Sequence, residues 1–180
     1  MKQHTISTAR LTIRTLLLED CNERYVSWLN QPEINRYLET RFQPTQTLES
    51  VRDYVSAVAA RSNEHMFGIF LEGGARHVGN IKVGPILSPH RVGDVSLVLG
   101  ERECWGKGIA TEAIQAVCRY AFAQLDVRKL SAGVYAPNRG SIRAFEKAGW
   151  HHEGVRRDHY LLDDCPCDIV VLGLTPNDLL

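Results

Sequence analysis

The chain has 180 residues, of which 44% are hydrophobic and 23% are charged. These values are close to globular averages, so the chain can bury a core without disulfides or a structural metal. The 21 basic residues balance the 21 acidic ones, and this zero formal charge argues against nonspecific binding to nucleic acid.

Targeting and redox signals are weak in this sequence. The only apolar run near the start, residues 16–18, is far shorter than a signal-peptide core or a membrane helix. We therefore expect a cytoplasmic protein with no membrane partner. The five cysteines form an odd set without a Cys-x-x-Cys spacing, so we expect reduced thiols and no bound metal.

In chain order, the first half of the sequence predicts helices followed by strands. No repeat or linker divides the chain, so residues 1–180 are expected to form a single domain. The apolar spacing predicts a strand at residues 11–14 and helices at residues 21–29, 33–38 and 48–61. Three further strands, separated by glycine-containing turns, are predicted at residues 66–71, 77–83 and Val92–Leu99.

The second half begins with the best-defined element, a helix at Ile109–Gln124, whose apolar residues recur at helical spacing. It is followed by a strand at Lys129–Tyr135 and by a helix at residues 138–148 that Gly149 ends. Two closing strands are predicted at residues 151–161 and 169–174. The pattern predicts an α/β (α+β) fold with a mixed, mostly antiparallel sheet of about seven strands flanked by helices.

The strand Val92–Leu99 and the helix Ile109–Gln124 are joined by a turn that contains Gly106 and Gly108. Glycines allow the backbone to approach a ligand and to turn N–H groups inward, and the helix adds the positive end of its dipole. These features are typical of a turn that holds phosphate.

Two common phosphate motifs fit this turn poorly. A Walker A loop has four residues between its glycines, whereas Gly100 and Gly106 have five between them and Lys107 precedes Gly108. A dinucleotide fingerprint requires Gly or Ala where this chain has Thr111, and it opens a domain rather than following several antiparallel strands.

The turn resembles the coenzyme A pyrophosphate loop of the GNAT acetyltransferases, and residues 105–113 look most like the RimJ/RimL branch of ribosomal-protein alanine acetyltransferases. The family pattern starts with Arg or Gln, whereas this chain has Glu103 there and Arg102 beside it. A second segment, residues 138–149, resembles the asparagine-to-glycine helix of that family. Asn138 is also the residue type that a helix N-cap selects.

The resemblance implies a GNAT fold with acetyl-CoA as co-substrate. In that fold the strand before the loop, here Val92–Leu99, carries a bulge and splays from its neighbour, so the sheet opens between the fourth and fifth predicted strands. An N–H near residues 97–99 would polarise the acetyl oxygen. The implied cofactor-binding residues are Leu97, Val98, Leu99, Trp105, Gly106, Lys107, Gly108, Ile109, Ala110, Thr111, Asn138, Ser141, Phe145 and Lys147.

The implied reaction is transfer of the acetyl group to a primary amine by direct attack in a ternary complex. It requires a neutral amine, a polarised carbonyl and a proton for the leaving thiolate. Asp94 lies where the family often has Glu and is the candidate base, acting through water. Phe145 replaces the tyrosine that many members place beside the sulfur, so Ser141 or a water is the candidate acid, with Tyr135 a more distant alternative.

The acceptor end is expected near Trp28, Glu33, Arg36 and Tyr37, because early helices wall the acceptor pocket in that family. An amphipathic helix pair with Trp28 in the core explains the apolar members equally well. A protein N-terminus, an amino sugar, free or nucleotide-linked, a polyamine and an aminoglycoside all remain open as acceptors.

Three other interpretations remain beside the enzyme. A non-catalytic acetyl-CoA-binding sensor would explain the absent tyrosine, and an unrelated nucleotide-binding protein would use the same turn. An acyl-cysteine on Cys104 lacks a His and acidic partner at recognisable spacing. A homodimer is among the assemblies that the resemblance allows.

Overall fold

Eight strands form one sheet in the computed structural model, which describes residues 3–179. The strands are β1 (Thr5–Ser7), β2 (Thr12–Thr15), β3 (His65–Leu71), β4 (Arg76–Leu87), β5 (Val92–Leu99), β6 (Lys129–Tyr135), β7 (His151–Leu162) and β8 (Cys165–Leu174). The helices are α1 (Glu23–Asn30), α2 (Pro32–Asn35), α3 (Leu48–Ala59), α4 (Ile109–Gln124) and α5 (Arg139–Lys147).

The sheet runs in the order β1-β2-β3-β4-β5-β6-β8-β7, and every neighbouring pair is antiparallel except β5 and β6. This confirms the mixed, mostly antiparallel sheet flanked by helices. The eighth strand is β1, which the sequence pattern does not predict because its three residues include a single apolar side chain and are too few to show a period of two. It forms by pairing with β2.

The helix predicted at residues 33–38 is shorter in the structure and ends at Asn35. Leu38 is extended, and a 3-10 turn at Glu39–Phe42 follows it. The Asn35 side chain donates to the Leu29 carbonyl at 2.7 Å, and the Tyr37 ring packs 5.9 Å from that of Tyr135. These tertiary contacts override the helical pattern.

The predicted splay lies between β5 and β6. The two strands pair only at Val92–Lys129, Gly93–Leu130 and Asp94–Ser131, and beyond Asp94 they separate. On its other side β5 stays paired with β4 as far as Leu99. The second half of β5 therefore has one unpaired edge, which opens towards β6.

The two faces of the sheet have separate cores. The larger core contains buried side chains of α4 and α5, and Leu97 and Leu99 of β5 pack against it. The smaller core contains buried side chains of α1 and α3, and Val98 packs against it. As the period of two predicts, Asp94, Ser96 and Val98 share the α1–α3 face. Within residues 3–179, no helix has the length and apolar content needed to cross a bilayer.

Candidate active site

The turn before α4 presents a set of unpaired N–H groups. Gly106 and Gly108 have positive φ angles of 71° and 78°, which other residues adopt only with strain, and no side chain caps α4. Within residues 3–179, no backbone N–H from Gly106 to Thr111 makes a hydrogen bond of normal geometry to a protein acceptor. Such donors at a helix N-terminus suit a diphosphate, so the backbone of this turn fits coenzyme A.

Contacts at both ends of the turn hold it in place. The Trp105 indole N–H donates to the Leu99 carbonyl at 2.9 Å, which joins the turn to the end of β5. At the other end, Arg10 donates to the Lys107 carbonyl at 2.9 Å and to the Glu112 carboxylate at 2.6 Å. Burial opposes ionisation of Glu112, but hydrogen bonds from Thr8 and Arg10 outweigh it and lower its pKa. The sequence analysis did not identify Arg10.

The other residues of the turn differ in what they offer a ligand. Ile109 is 4% exposed and belongs to the core, so only its amide is available. Lys107 is exposed, whereas Ala110 and Thr111 are half-buried. Arg102 stands beside the substituted first position of the family pattern. Its guanidinium forms an ion pair with Glu33.

The unpaired edge of β5 presents the backbone of Leu97. Gly100 N–H donates to the Val78 carbonyl of β4 at 2.9 Å. Because backbone groups alternate sides along a strand, Val98 also faces β4, whereas Leu97 and Leu99 face the gap. The Leu99 carbonyl is occupied by Trp105. Leu97 N–H is therefore the donor placed deepest in the gap, and the Val98 amide is turned away from it.

The bulge beside this gap lies on β4, not on β5 as the resemblance implies. Val83 pairs with Val95, and the next pair is Ile86 with Gly93. Between these two pairs β4 therefore contains one residue more than β5. Gly84 has a φ of 122°, and a Cβ there would lie 2.5 Å from the Asn63 carbonyl oxygen, so the bulge position admits only glycine. The bulge lies at the end of β4 that pairs with the residues of β5 preceding the splay.

Asp94 is the last β5 residue that pairs with β6, so its side chain lies where the gap begins. It is on the α1–α3 face, opposite Ser131. Asp94 keeps part of its surface exposed, but partial desolvation by the surrounding protein raises its pKa above its usual value, although the positive charges of Arg156 and Lys82 oppose that shift. Lys82 is itself bound to Glu64 at 2.7 Å. A carboxylate with a raised pKa is a stronger base.

The start of α5 lies at the same edge of the sheet as the phosphate turn, because β5 and β6 are parallel and both precede these segments. Asn138 caps α5 by accepting the Ser141 N–H at 3.2 Å, which leaves its amide NH2 available. Lys147 is exposed at the other end of α5.

Phe145 is placed differently from the expectation. Its side chain is 2% exposed and packs edge-on against Trp150 at 4.8 Å. It therefore belongs to the core of the α4–α5 face and does not offer its ring to a bound cofactor.

Trp28 is likewise a core residue and not an acceptor contact. It is 2% exposed, and its indole N–H donates to Glu101 at 3.2 Å. The structure therefore favours the amphipathic alternative for this position. Glu33, Arg36 and Tyr37 do lie at the surface or half-buried near the gap, where Arg36 pairs with Asp163 at 2.7 Å.

A polar cluster around Tyr135 lies on the acceptor side, and the sequence analysis did not identify its other members, Glu39 and Arg41. The Tyr135 hydroxyl donates to Glu39 at 3.0 Å and accepts from Arg41 at 2.7 Å. Arg41 also donates to the Leu161 carbonyl at 2.8 Å, so it ties the segment after α2 to β7. Beside these contacts is a cavity of about 360 Å³, lined by Glu39, Phe42, Tyr135, Asp158, His159, Tyr160, Leu161 and Pro166.

A larger open groove of about 890 Å³ borders the phosphate turn. It lies between β1 and α4, and its lining includes Gly108, Thr111, Gln115 and Lys147. The groove thus offers room for the remainder of a nucleotide whose diphosphate lies on the turn. The two spaces are separate, one beside the turn between β1 and α4 and one beside Tyr135 at the end of β6.

Comparisons with known proteins agree with this geometry. The profile of the acetyltransferase (GNAT) domain matches residues 10–151. A probable N-acetyltransferase of Bacillus subtilis, YjcK, is 30% identical over 172 residues, which cover 92% of this chain and 94% of the relative.

Solved structures of the same fold include two with bound coenzyme A species. Mycobacterium smegmatis RimJ in complex with CoA-disulfide superposes with a TM-score of 0.84 at 18% identity, covering 98% of this chain and 89% of the other. Spermidine N-acetyltransferase from Vibrio cholerae, in complex with CoA and spermine, superposes with a TM-score of 0.83 at 19% identity, covering 95% and 98%. At these identities the likeness establishes the fold alone.

Proposed function

Because this chain belongs to the acetyltransferase (GNAT) domain family, we propose that it moves the acetyl group of acetyl-CoA directly onto a primary amine in a ternary complex. The family and the relatives of this chain show that it is an N-acetyltransferase of the GNAT type. This enzyme assignment replaces the alternative of a non-catalytic sensor. The choice of acetyl-CoA as donor and the residue roles below are our proposal.

The observation that carries the proposal is the set of unpaired N–H groups from Gly106 to Thr111 beside the open edge of β5. These groups hold the diphosphate of the donor. Leu97, Leu99 and Trp105 line the path from the turn into the gap. The NH2 group of Asn138 and the exposed ammonium of Lys147 assist from the side of α5.

Acetyl-CoA supplies an activated acetyl thioester when it is bound. The Leu97 N–H donates to the acetyl oxygen and stabilises the negative charge that develops there as the amine attacks. Asp94 accepts the proton of the amine through water, and the Ser141 hydroxyl donates a proton to the leaving thiolate and takes one back from water. Glu33, Arg36 and Tyr37 border the acceptor.

Further features of the proposal concern the whole chain. We place it in the RimJ/RimL-like branch, with support from the shared fold of RimJ. Residues 1–180 act as one catalytic domain in the cytoplasm; residues 1, 2 and 180 lie outside the described residues. The exposed edge strand β7 is a surface through which two copies could pair as a homodimer. Light scattering of the purified protein measures its oligomeric state.

The function is tested by measuring free thiol released from acetyl-CoA in the presence of a panel of amines. We expect amine-dependent release and saturable binding of coenzyme A by calorimetry. Thermal stabilisation by ATP but not by coenzyme A would overturn the proposal in favour of a different nucleotide ligand.

The role of Asp94 is tested by Asp94→Asn, with Ser96→Ala on the same face of β5 as the matched control. A general base contributes typically about 10²- to 10⁴-fold to the rate, so we expect kcat to fall within that range at unchanged coenzyme A affinity. Unchanged kinetics in Asp94→Asn would remove this carboxylate from the mechanism.

A further inference from the structure

Several acidic side chains around the acceptor side of the gap already have partners, whereas the Asp158 carboxylate in the cavity beside Tyr135 has none within residues 3–179. Asp163 pairs with Arg36, Glu153 with Lys129, and Glu33 with Arg102. Glu64 is held by Arg61 and Lys82, and Glu39 accepts the Tyr135 hydroxyl. A polyamine acceptor requires several free carboxylates, and here these groups are already neutralised or hydrogen-bonded.

Arg156 on β7 differs from these residues. Within the described part of the chain, residues 3–179, its guanidinium forms no ion pair or hydrogen bond, and the side chain is exposed. Tyr135, Ile169 and Arg156 stand opposite one another on β6, β8 and β7, so their side chains share a face. That face carries the Tyr135 cluster and Asp94.

The charge of Arg156 acts on the reacting end of the site. Its field favours the ionised form of Asp94 more than that of Lys82 does, and Lys82 is already bound to Glu64. An unpaired cation on the same face as the candidate base repels an acceptor that carries only positive charge. It attracts an acceptor that carries negative charge beside its amine.

We propose that Arg156 binds an anionic group of the acceptor, so that the acceptor is a small amine which also bears a carboxylate or a phosphate. The guanidinium forms paired hydrogen bonds with either group, while the amine lies towards Asp94. This inference rests on the proposed function of the same site. Arg156 is thus a residue that determines acceptor specificity.

The test compares kcat/KM for matched acceptors that differ only in the anion. One pair is an amino acid and its carboxamide, and the other is glucosamine 6-phosphate and glucosamine; spermidine is the cationic comparison. Hydrogen bonds to charged groups contribute about 1.5–3 kcal/mol, so we expect the anionic member to be preferred by roughly 10- to 100-fold. The two pairs distinguish a carboxylate from a phosphate.

Arg156→Ala should remove that preference by lowering kcat/KM for the anionic member far more than for the neutral member, and Arg156→Lys should restore part of it. Arg157→Ala is the matched control, because Arg157 is the adjacent exposed arginine with the same charge and is not among the cations that act on Asp94. The proposal is overturned if no anionic amine is acetylated, if spermidine or the neutral members are preferred, or if Arg156→Ala keeps the preference. Thiol release with neutral amines alone would leave the acetyltransferase function standing, whereas absent coenzyme A binding would remove both.

Discussion

The Trp28 ring packs directly over Gly100, in the segment that leads into the phosphate turn. A Cβ on Gly100 would lie 1.9 Å from Cδ2 of the Trp28 indole, far inside normal carbon contact, and that indole is 2% exposed. The buried ring has no solvent-facing route of escape. We therefore expect Gly100→Ala to destabilise the fold at or above the upper end of the range for overpacking, about 1–3 kcal/mol.

Removal of the ring should destabilise the protein for the opposite reason. Trp28→Ala leaves a cavity and deprives Glu101 of its hydrogen bond, so we expect a loss of about 3–5 kcal/mol. In the double variant the cavity accepts the new methyl group. Its free energy of unfolding should therefore lie close to that of Trp28→Ala, with a coupling of about 1–3 kcal/mol in magnitude.

Urea denaturation of the four proteins measures these values, and Gly154→Ala is the control because no atom lies within 4 Å of its new Cβ. Trp28→Phe provides a milder variant if Trp28→Ala does not fold. The reasoning is refuted if Gly100→Ala is as stable as Gly154→Ala. If Trp28→Ala is as stable as the wild type and has a raised KM for the acceptor, Trp28 is an acceptor contact and not a core residue.

Three further predictions concern the turn, the acid limit of stability and the thiols. Arg10→Ala should weaken coenzyme A binding several-fold by calorimetry, because the Lys107 carbonyl and the Glu112 carboxylate lose their common donor. An unchanged affinity would show that the turn keeps its conformation without Arg10. Burial opposes ionisation of Glu64, but hydrogen bonds from Lys82 and Arg61 outweigh it and lower the pKa of Glu64. The ionised carboxylate therefore stabilises the fold above its unfolded pKa, and this contribution is lost as the pH falls through the folded pKa. Glu64→Gln should therefore lower stability at neutral pH and flatten its decline in acid, as urea titrations at several pH values would show. Burial raises the pKa of Cys118 to about 12, so a thiol reagent should label exposed Cys165 while Cys118 stays unmodified until unfolding.

The splay and the phosphate turn explain why one strand edge carries the proposed chemistry. The parallel pairing of β5 and β6 ends at Asp94, and the chain beyond it is unpaired on one side while β4 supports the other. A rigid edge that needs no rearrangement suits an N–H group which stabilises developing charge. The bulge on β4 belongs to the same supporting strand.

Local patterns in the sequence were sufficient to predict the strand, turn and helix of the site. The positive φ angles at Gly106 and Gly108, the periodic apolar face of α4 and the N-cap at Asn138 each depend on residues within a few positions of one another. The mixed sheet and its splay also follow from the order of elements together with the family resemblance. The conformations of the turn and of the helix ends are encoded in short segments, so a single sequence reveals them.

Contacts between distant segments could be decided only by the tertiary structure. Arg10 and Glu112 are 102 residues apart in the chain, and Arg41 and Tyr135 are 94 apart, so no spacing rule relates them. The burial of Trp28 and Phe145 likewise depends on the face of the sheet against which the helix carrying each ring packs. An amphipathic pattern indicates that a side chain can be buried, but the packing partner determines whether it faces the core or a ligand.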